Sequence, residues 1–223
     1  MLHLPYTGMV LGFVLVGAAI SPRISWLLLG GTLLAYFLGL GIGAHLLDQV
    51  PGMGSRYVTR WPSWALWWGG SIALASAVTI GIVGSIFYVG PALLLLVGVQ
   101  GVCAIGYPLA AWFRGAFHRD SVFAVSWGSL PFLTSAYAQA REVSPAVVLL
   151  AVVFGLVSLI EIRLSRASRR LRSEERSRRA PSSVTGDPGD LPYRRFDIAL
   201  EALSLGTIVL SIGLVAGRWG FGV

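Results

Sequence analysis

His45 and Asp48 stand three residues apart in the run Gly-Ala-His-Leu-Leu-Asp. On a continuous helix that spacing puts an imidazole and a carboxylate on one face. There the two can share a divalent cation, reach a phosphate through that cation, or sit as a hydrated pair at a membrane interface. A second polar group, Arg114, His118, Arg119 and Asp120, precedes an apolar run. Asp120 is placed to cap the helix that follows by accepting its first backbone N–H groups, and the same carboxylate can contact a metal or substrate, while His118 can equally be a solvated loop residue. Asp197 and Glu201 share a face four residues apart, a spacing that suits a carboxylate pair around a divalent ion and equally suits acidic residues drawn to a helix's first turn by its dipole. The candidate metal ligands are thus Asp48, His45, Asp120 and Glu201.

The elements that must position these residues are apolar. Fifty-five per cent of the 223 residues are hydrophobic and only 12% are charged, more apolar surface than a water-soluble core of this size can hide. No charged residue occurs from Trp61 to Phe113, a length sufficient for two bilayer crossings, and the runs Ile24 to Ala44 and Ser121 to Ala140 are also free of charge. The pattern predicts an all-α, polytopic transmembrane bundle of about seven spans, at Leu4–Ile20, Ile24–Leu47, Trp64–Tyr88, Ala92–Phe113, Ser121–Ala140, Pro145–Ile162 and Ile198–Val215. Ser21-Pro22, Gly90-Pro91 and Ser144-Pro145 mark breaks between them. In domain terms, residues 1–162 form a six-span bundle, 163–197 an Arg-rich extension and linker, and 198–223 the seventh span with a short tail. The first apolar stretch lacks a basic segment before it and reads as a retained span.

Every positive side chain other than histidine is an arginine. Seven spans place Arg56, Arg60, Arg114, Arg119 and the ten arginines from Arg163 to Arg195 on one face, and Arg23, Arg141 and Arg218 on the other: fourteen against three. Retention of positive charge during insertion then predicts an integral plasma (inner) membrane protein with a cytoplasmic N-terminus and an outside C-terminus. All the unusual polar residues fall at the cytoplasmic face. Residues 163–180 are expected to extend the sixth helix onto anionic headgroups, and 181–192 to form a polar linker. The arginines join hydrophobic spans without a zinc-ligand or aromatic RNA-binding pattern, so nucleic acid is not an expected partner. Cys103, alone in an apolar span, is a small packing residue. Gly8 with Gly12, Gly39 with Gly43, and Gly81 with Gly84 are expected at close helix contacts. Trp61, Trp64, Trp67 and Trp68 are expected as an interfacial anchor.

The run Leu-Gly-Leu-Gly-Ile-Gly-Ala-His45-Leu-Leu-Asp48-Gln-Val-Pro-Gly52 resembles the first aspartate-rich motif of the UbiA superfamily of prenyltransferases. Tyr107-Pro108, Arg114, His118 and Trp127-Gly128 resemble the region of that family's fourth and fifth helices. The likeness covers about residues 1–160. Family members hold Mg2+ and a prenyl diphosphate on two aspartate motifs, with the isoprenoid in a lipid-accessible cavity. Here His45 stands where the motif's leading aspartate would be, Asp48 matches the middle one, Gly52 replaces the last, and Asp197 with Glu201 substitutes loosely for the second motif. The chain has about seven spans against the usual nine. The resemblance implies Mg2+ as cofactor and diphosphate contacts from Arg56, Arg60, Arg114, Arg119 and His118. Phe123, Trp127 and Phe132 can line its apolar tunnel, though such rings are more often ordinary packing residues. It implies a divergent protein acting on or binding an isoprenoid or prenyl diphosphate lipid. The alternative is a non-catalytic membrane subunit or lipid-binding scaffold, with partners in a larger complex. A transporter comes last, because mid-span polar residues are mainly Ser, Thr and Gln100.

Overall fold

The computed structural model describes residues 4–51, 61–109, 113, 115–178 and 192–220, and all regular structure among them is helical. Seven helices follow one another: α1 Leu4–Ala19, α2 Trp26–Asp48, α3 Ser63–Val89, α4 Leu93–Gly106, α5 spanning 120–140, α6 Pro145–Arg178 and α7 Pro192–Gly220. By length and composition, α2, α3, Pro145–Glu175 of α6 and Tyr193–Arg218 of α7 are apolar enough to cross a bilayer, and α1 and α4 are shorter apolar helices.

The breaks have local causes. Ser25 Oγ accepts the Leu28 N–H at the start of α2, and Ser144 Oγ accepts the Val147 N–H at the start of α6. Gly90, at φ +128°, turns the chain between α3 and α4, a conformation closed to most side chains. The fourth helix ends at Gly106, short of the expected Phe113. Tyr107 keeps helical dihedrals and bonds the Cys103 carbonyl, but Pro108 has no N–H to continue the ladder. The Phe117 ring lies against Gly106 where a side chain would stand. The expected extension of the sixth helix is present as far as Arg178, so Glu161 lies inside α6. The seventh begins earlier than expected, at Pro192.

Helix α1 is the hub, with Met9, Phe13, Val14 and Ala18 wholly buried. It meets α7 through Gly8 and Gly12, against Ile208 and Thr207 with Ser211, and meets α5 through Gly17, where a methyl would collide with the Phe132 carbonyl. Helices α5 and α6 close equally tightly, Gly128 lying on the Phe154 carbonyl. In lipid, apolar side chains gain nothing by leaving the surroundings, so such backbone approaches carry the packing. The expected pairs divide. Gly39 and Gly43 abut Ala77 and the Gly70 backbone across the α2–α3 contact, and Gly81 abuts Val97 of α4, but Gly84 has open space beside it.

Three stretches wind as π-helix: Phe37–Ala44 in α2, Val125–Ser129 in α5 and Ser85–Val89 at the end of α3. The wider turn rotates the residues that follow relative to an ideal α-helix. In α2 it lies immediately before His45 and Asp48.

Candidate functional site

The polar residues gather at the bundle end formed by the close of α2, the approach to α5 and the mid-length of α6. His45 is half-buried, and its Nδ1 lies 2.7 Å from the Leu40 carbonyl, inside the π segment. One imidazole nitrogen is therefore committed to the backbone. Asp48, one turn on, lies within electrostatic range of His45, His118 and Arg169 without forming an ion pair among the described residues. His118 is exposed and stacks on Tyr107 with ring centroids 4.8 Å apart. Tyr107 packs in turn on Phe123 and Trp127, which stack on each other at 4.9 Å, and Tyr6 of α1 meets the edge of Phe123. Each such ring pair adds about 0.5–1.5 kcal/mol beyond its buried area. The aromatic floor fixes His118 to α4 and α5, and it packs Phe123 and Trp127 into the core rather than along an open tunnel, with Phe132 buried beside Phe13 and Phe154.

Asp120 is the first residue of α5, with Arg119 in the N-cap position, and makes no capping bond. Its carboxylate is taken by two guanidinium groups of α6: Arg166 bonds Oδ1, and Arg163 Nε stands 3.6 Å from Oδ2. The expected cap is replaced by an interhelical ion pair because α6 carries its arginines past this end. Asp197 is likewise engaged, accepting from Ser168 Oγ at 2.6 Å and pairing with Arg172. Glu201, one turn along α7, is exposed. Asp197 and Glu201 are thus separated in role: one joins α7 to α6 and the other faces outward. Arg119 is exposed without an ion pair among the described residues, and Arg56, Arg60 and Arg114 lie outside the described residues.

Among the described residues, no group of three or more His, Cys, Asp or Glu side chains is arranged to hold a metal ion. Mg2+ favours several oxygen ligands in octahedral array. Asp48 is the one carboxylate of the expected set near the His45–His118 pair that arginine has not taken, and the neighbouring donors are imidazoles. This donor set suits Mg2+ poorly.

No family model, curated protein or solved structure matches this chain. Its function must therefore be argued from the site itself.

Two features escaped sequence reasoning. Arg163, Arg166, Arg169 and Arg172 recur every third residue along α6, and three of them reach neighbouring helices, Arg163 and Arg166 to Asp120 of α5 and Arg172 to Asp197 of α7. The signal was the spacing in Arg-Leu-Ser-Arg-Ala-Ser-Arg-Arg-Leu-Arg, read only as headgroup charge. The other is a half-open cavity of about 300 Å³ between α2, α3, α4 and α5, with Gly31, Gly39, Leu74, Ala77, Gly101 and Ala104 in its wall. It is almost wholly apolar. Its inner limit at Leu40 and Ala104 lies one to two helical turns from His45 and Tyr107, roughly 5–8 Å along the axes.

Proposed function

We propose that this chain is a divergent, UbiA-like integral membrane protein of seven spans that holds an isoprenoid diphosphate lipid, with its anionic head at the His118–Asp48–Arg169 end and its hydrocarbon tail in the cavity between α2 and α5. The observation that carries the reading is an apolar cavity of about 300 Å³ between α2, α3, α4 and α5 whose lining stops, along α2 and α4, roughly 5–8 Å short of His45 and Tyr107, where His45, His118 and Arg169 surround Asp48. A ligand fitting both must be amphipathic and anionic. In this reading the cluster faces the cytoplasm and the arginines of α6 also meet anionic headgroups of the inner membrane.

Transfer chemistry is less well supported than binding. Transfer in the UbiA family's manner needs a metal to hold the diphosphate, and the one carboxylate of the expected set left unpaired near the cluster among the described residues, Asp48, does not make an Mg2+ site by itself. The pairing of Asp120 and Asp197 with arginines removes two carboxylates from that task, and this favours the reading of a lipid-binding scaffold, or a subunit of a membrane complex, over a transferase. Purified protein incubated with radiolabelled farnesyl and geranylgeranyl diphosphates, with and without Mg2+, tests both. Retention of either lipid supports the site, release of pyrophosphate with the label recovered on a co-purified acceptor supports transfer, release with the label recovered as the prenyl alcohol shows hydrolysis instead, and absence of retention and release overturns the proposal.

A further inference from the structure

We infer that the anionic head is received directly by the Arg169 guanidinium, with no divalent cation between protein and phosphate. The inference deepens the lipid-binding reading and rests on it.

The arginine ladder of α6 supplies the argument. Its rungs at 163, 166, 169 and 172 are each three residues apart, and three of the four are already committed: Arg163 and Arg166 to Asp120, and Arg172 to Asp197. Arg166 also lies within electrostatic range of Tyr107. Arg169 differs. It is exposed, and no hydrogen bond or ion pair holds it among the described residues. It nevertheless lies within electrostatic range of Asp48, Tyr6 and Tyr107, so it belongs to the same cluster as His118. Arg169 stands one turn of α6 beyond Arg166, whose partner Asp120 is two residues from His118, and it lies within electrostatic range of Asp48 without closing to ion-pair distance. A guanidinium presents a planar fork that matches two phosphate oxygens, and His118, also within range of Asp48, carries a ring N–H donor. The excess guanidinium of the Arg163–Arg166–Asp120 group leaves the flank positive.

The sign of the Asp48 effect separates this arrangement from a metal site. If a cation bridges Asp48 to phosphate, the carboxylate is indispensable. If Arg169 takes the phosphate, Asp48 is a nearby like charge that opposes binding, and its removal helps.

The test measures retention of radiolabelled farnesyl diphosphate by detergent-purified full chain, in Mg2+ and in EDTA, for wild type, Arg169→Gln, Arg169→Lys, Asp48→Asn and the opposite-end control Arg23→Gln, with inorganic pyrophosphate as competitor. Expected are equal binding in Mg2+ and EDTA, a loss on the order of tenfold to hundredfold in Arg169→Gln with partial recovery in Arg169→Lys, and unchanged or few-fold tighter binding in Asp48→Asn. Loss of binding in EDTA, loss in Asp48→Asn, or wild-type affinity in Arg169→Gln overturns the inference while leaving a lipid site intact. If pyrophosphate matches the lipid in affinity and Arg169→Gln weakens both, Arg169 keeps its role but the tail does not contribute, and the lipid reading falls. Absence of binding by wild type in either buffer overturns both.

Discussion

Arg166 of α6 and Asp120 of α5 form an ion pair between residues 46 apart in sequence, at the point where the loop after α4 enters the first turn of α5. Both side chains are about 30% exposed, at 32% and 27%, so water weakens the pair without eliminating it. Arg163 approaches the same carboxylate from a position 68% exposed. Asp120→Asn should destabilise the protein by about 1–2 kcal/mol, and Arg163→Gln by less than about 0.5 kcal/mol. Thermal unfolding in detergent compares them, and a larger loss in Arg163→Gln would contradict the assignment.

Arg172 and Asp197 make the corresponding connection from α6 to α7. Each single reversal, Arg172→Asp or Asp197→Arg, should loosen the start of α7, and the double reversal should recover at least half of the lost stability because the contact is pairwise. A double-mutant cycle on unfolding midpoints measures the coupling, and additive losses would place both residues outside a shared contact.

Glycines provide a steric contrast. Gly128→Leu drives a side chain into the Phe154 carbonyl and should cost more than about 3 kcal/mol, seen as loss of monodisperse protein on size-exclusion chromatography. Gly84, with nothing within 4 Å of an added Cβ, should accept alanine with little change. Gly84→Leu should still fold, yet reduce retention of geranylgeranyl diphosphate several-fold by intruding on the cavity wall. Equal lipid retention by wild type and Gly84→Leu would move the tail elsewhere.

Orientation is tested by a single cysteine at Ser183, a position outside the described residues, in a Cys103→Ala background. Labelling by an impermeant maleimide should require broken cells or inverted vesicles, as the arginine imbalance of fourteen to three predicts. Labelling of intact cells at this site would reverse the bundle and move the His118–Asp48 cluster to the outside.

Helix identity and order were legible from composition. The apolar runs, together with breaks at Ser21-Pro22, Gly90-Pro91 and Ser144-Pro145, located seven helices, with ends near those expected except at α4, which stops at Gly106, and α7, which begins at Pro192 inside the expected linker and runs to Gly220, because long charge-free runs leave the backbone few alternatives to satisfying its own hydrogen bonds. The neighbourhood of His45, Asp48 and His118 was legible too, since alternate loops of a bundle share an end. What the one-dimensional pattern could not encode was which charge answers which. Asp120 reads locally as a cap, and only the continuation of α6 beside α5 gives it to Arg166. Asp197 and Glu201 share a helix face by spacing, yet the position of α6 takes one and leaves the other exposed. Gly39 and Gly84 are the same residue type in the same apolar setting, but one is pressed against Ala77 and the other stands beside open space at the cavity. Local hydropathy and backbone chemistry determined the helices and their common polar end. Pairing of charges, and the division of glycines between contact and cavity, depended on distances between helices that are remote in sequence, and tertiary packing alone decided them.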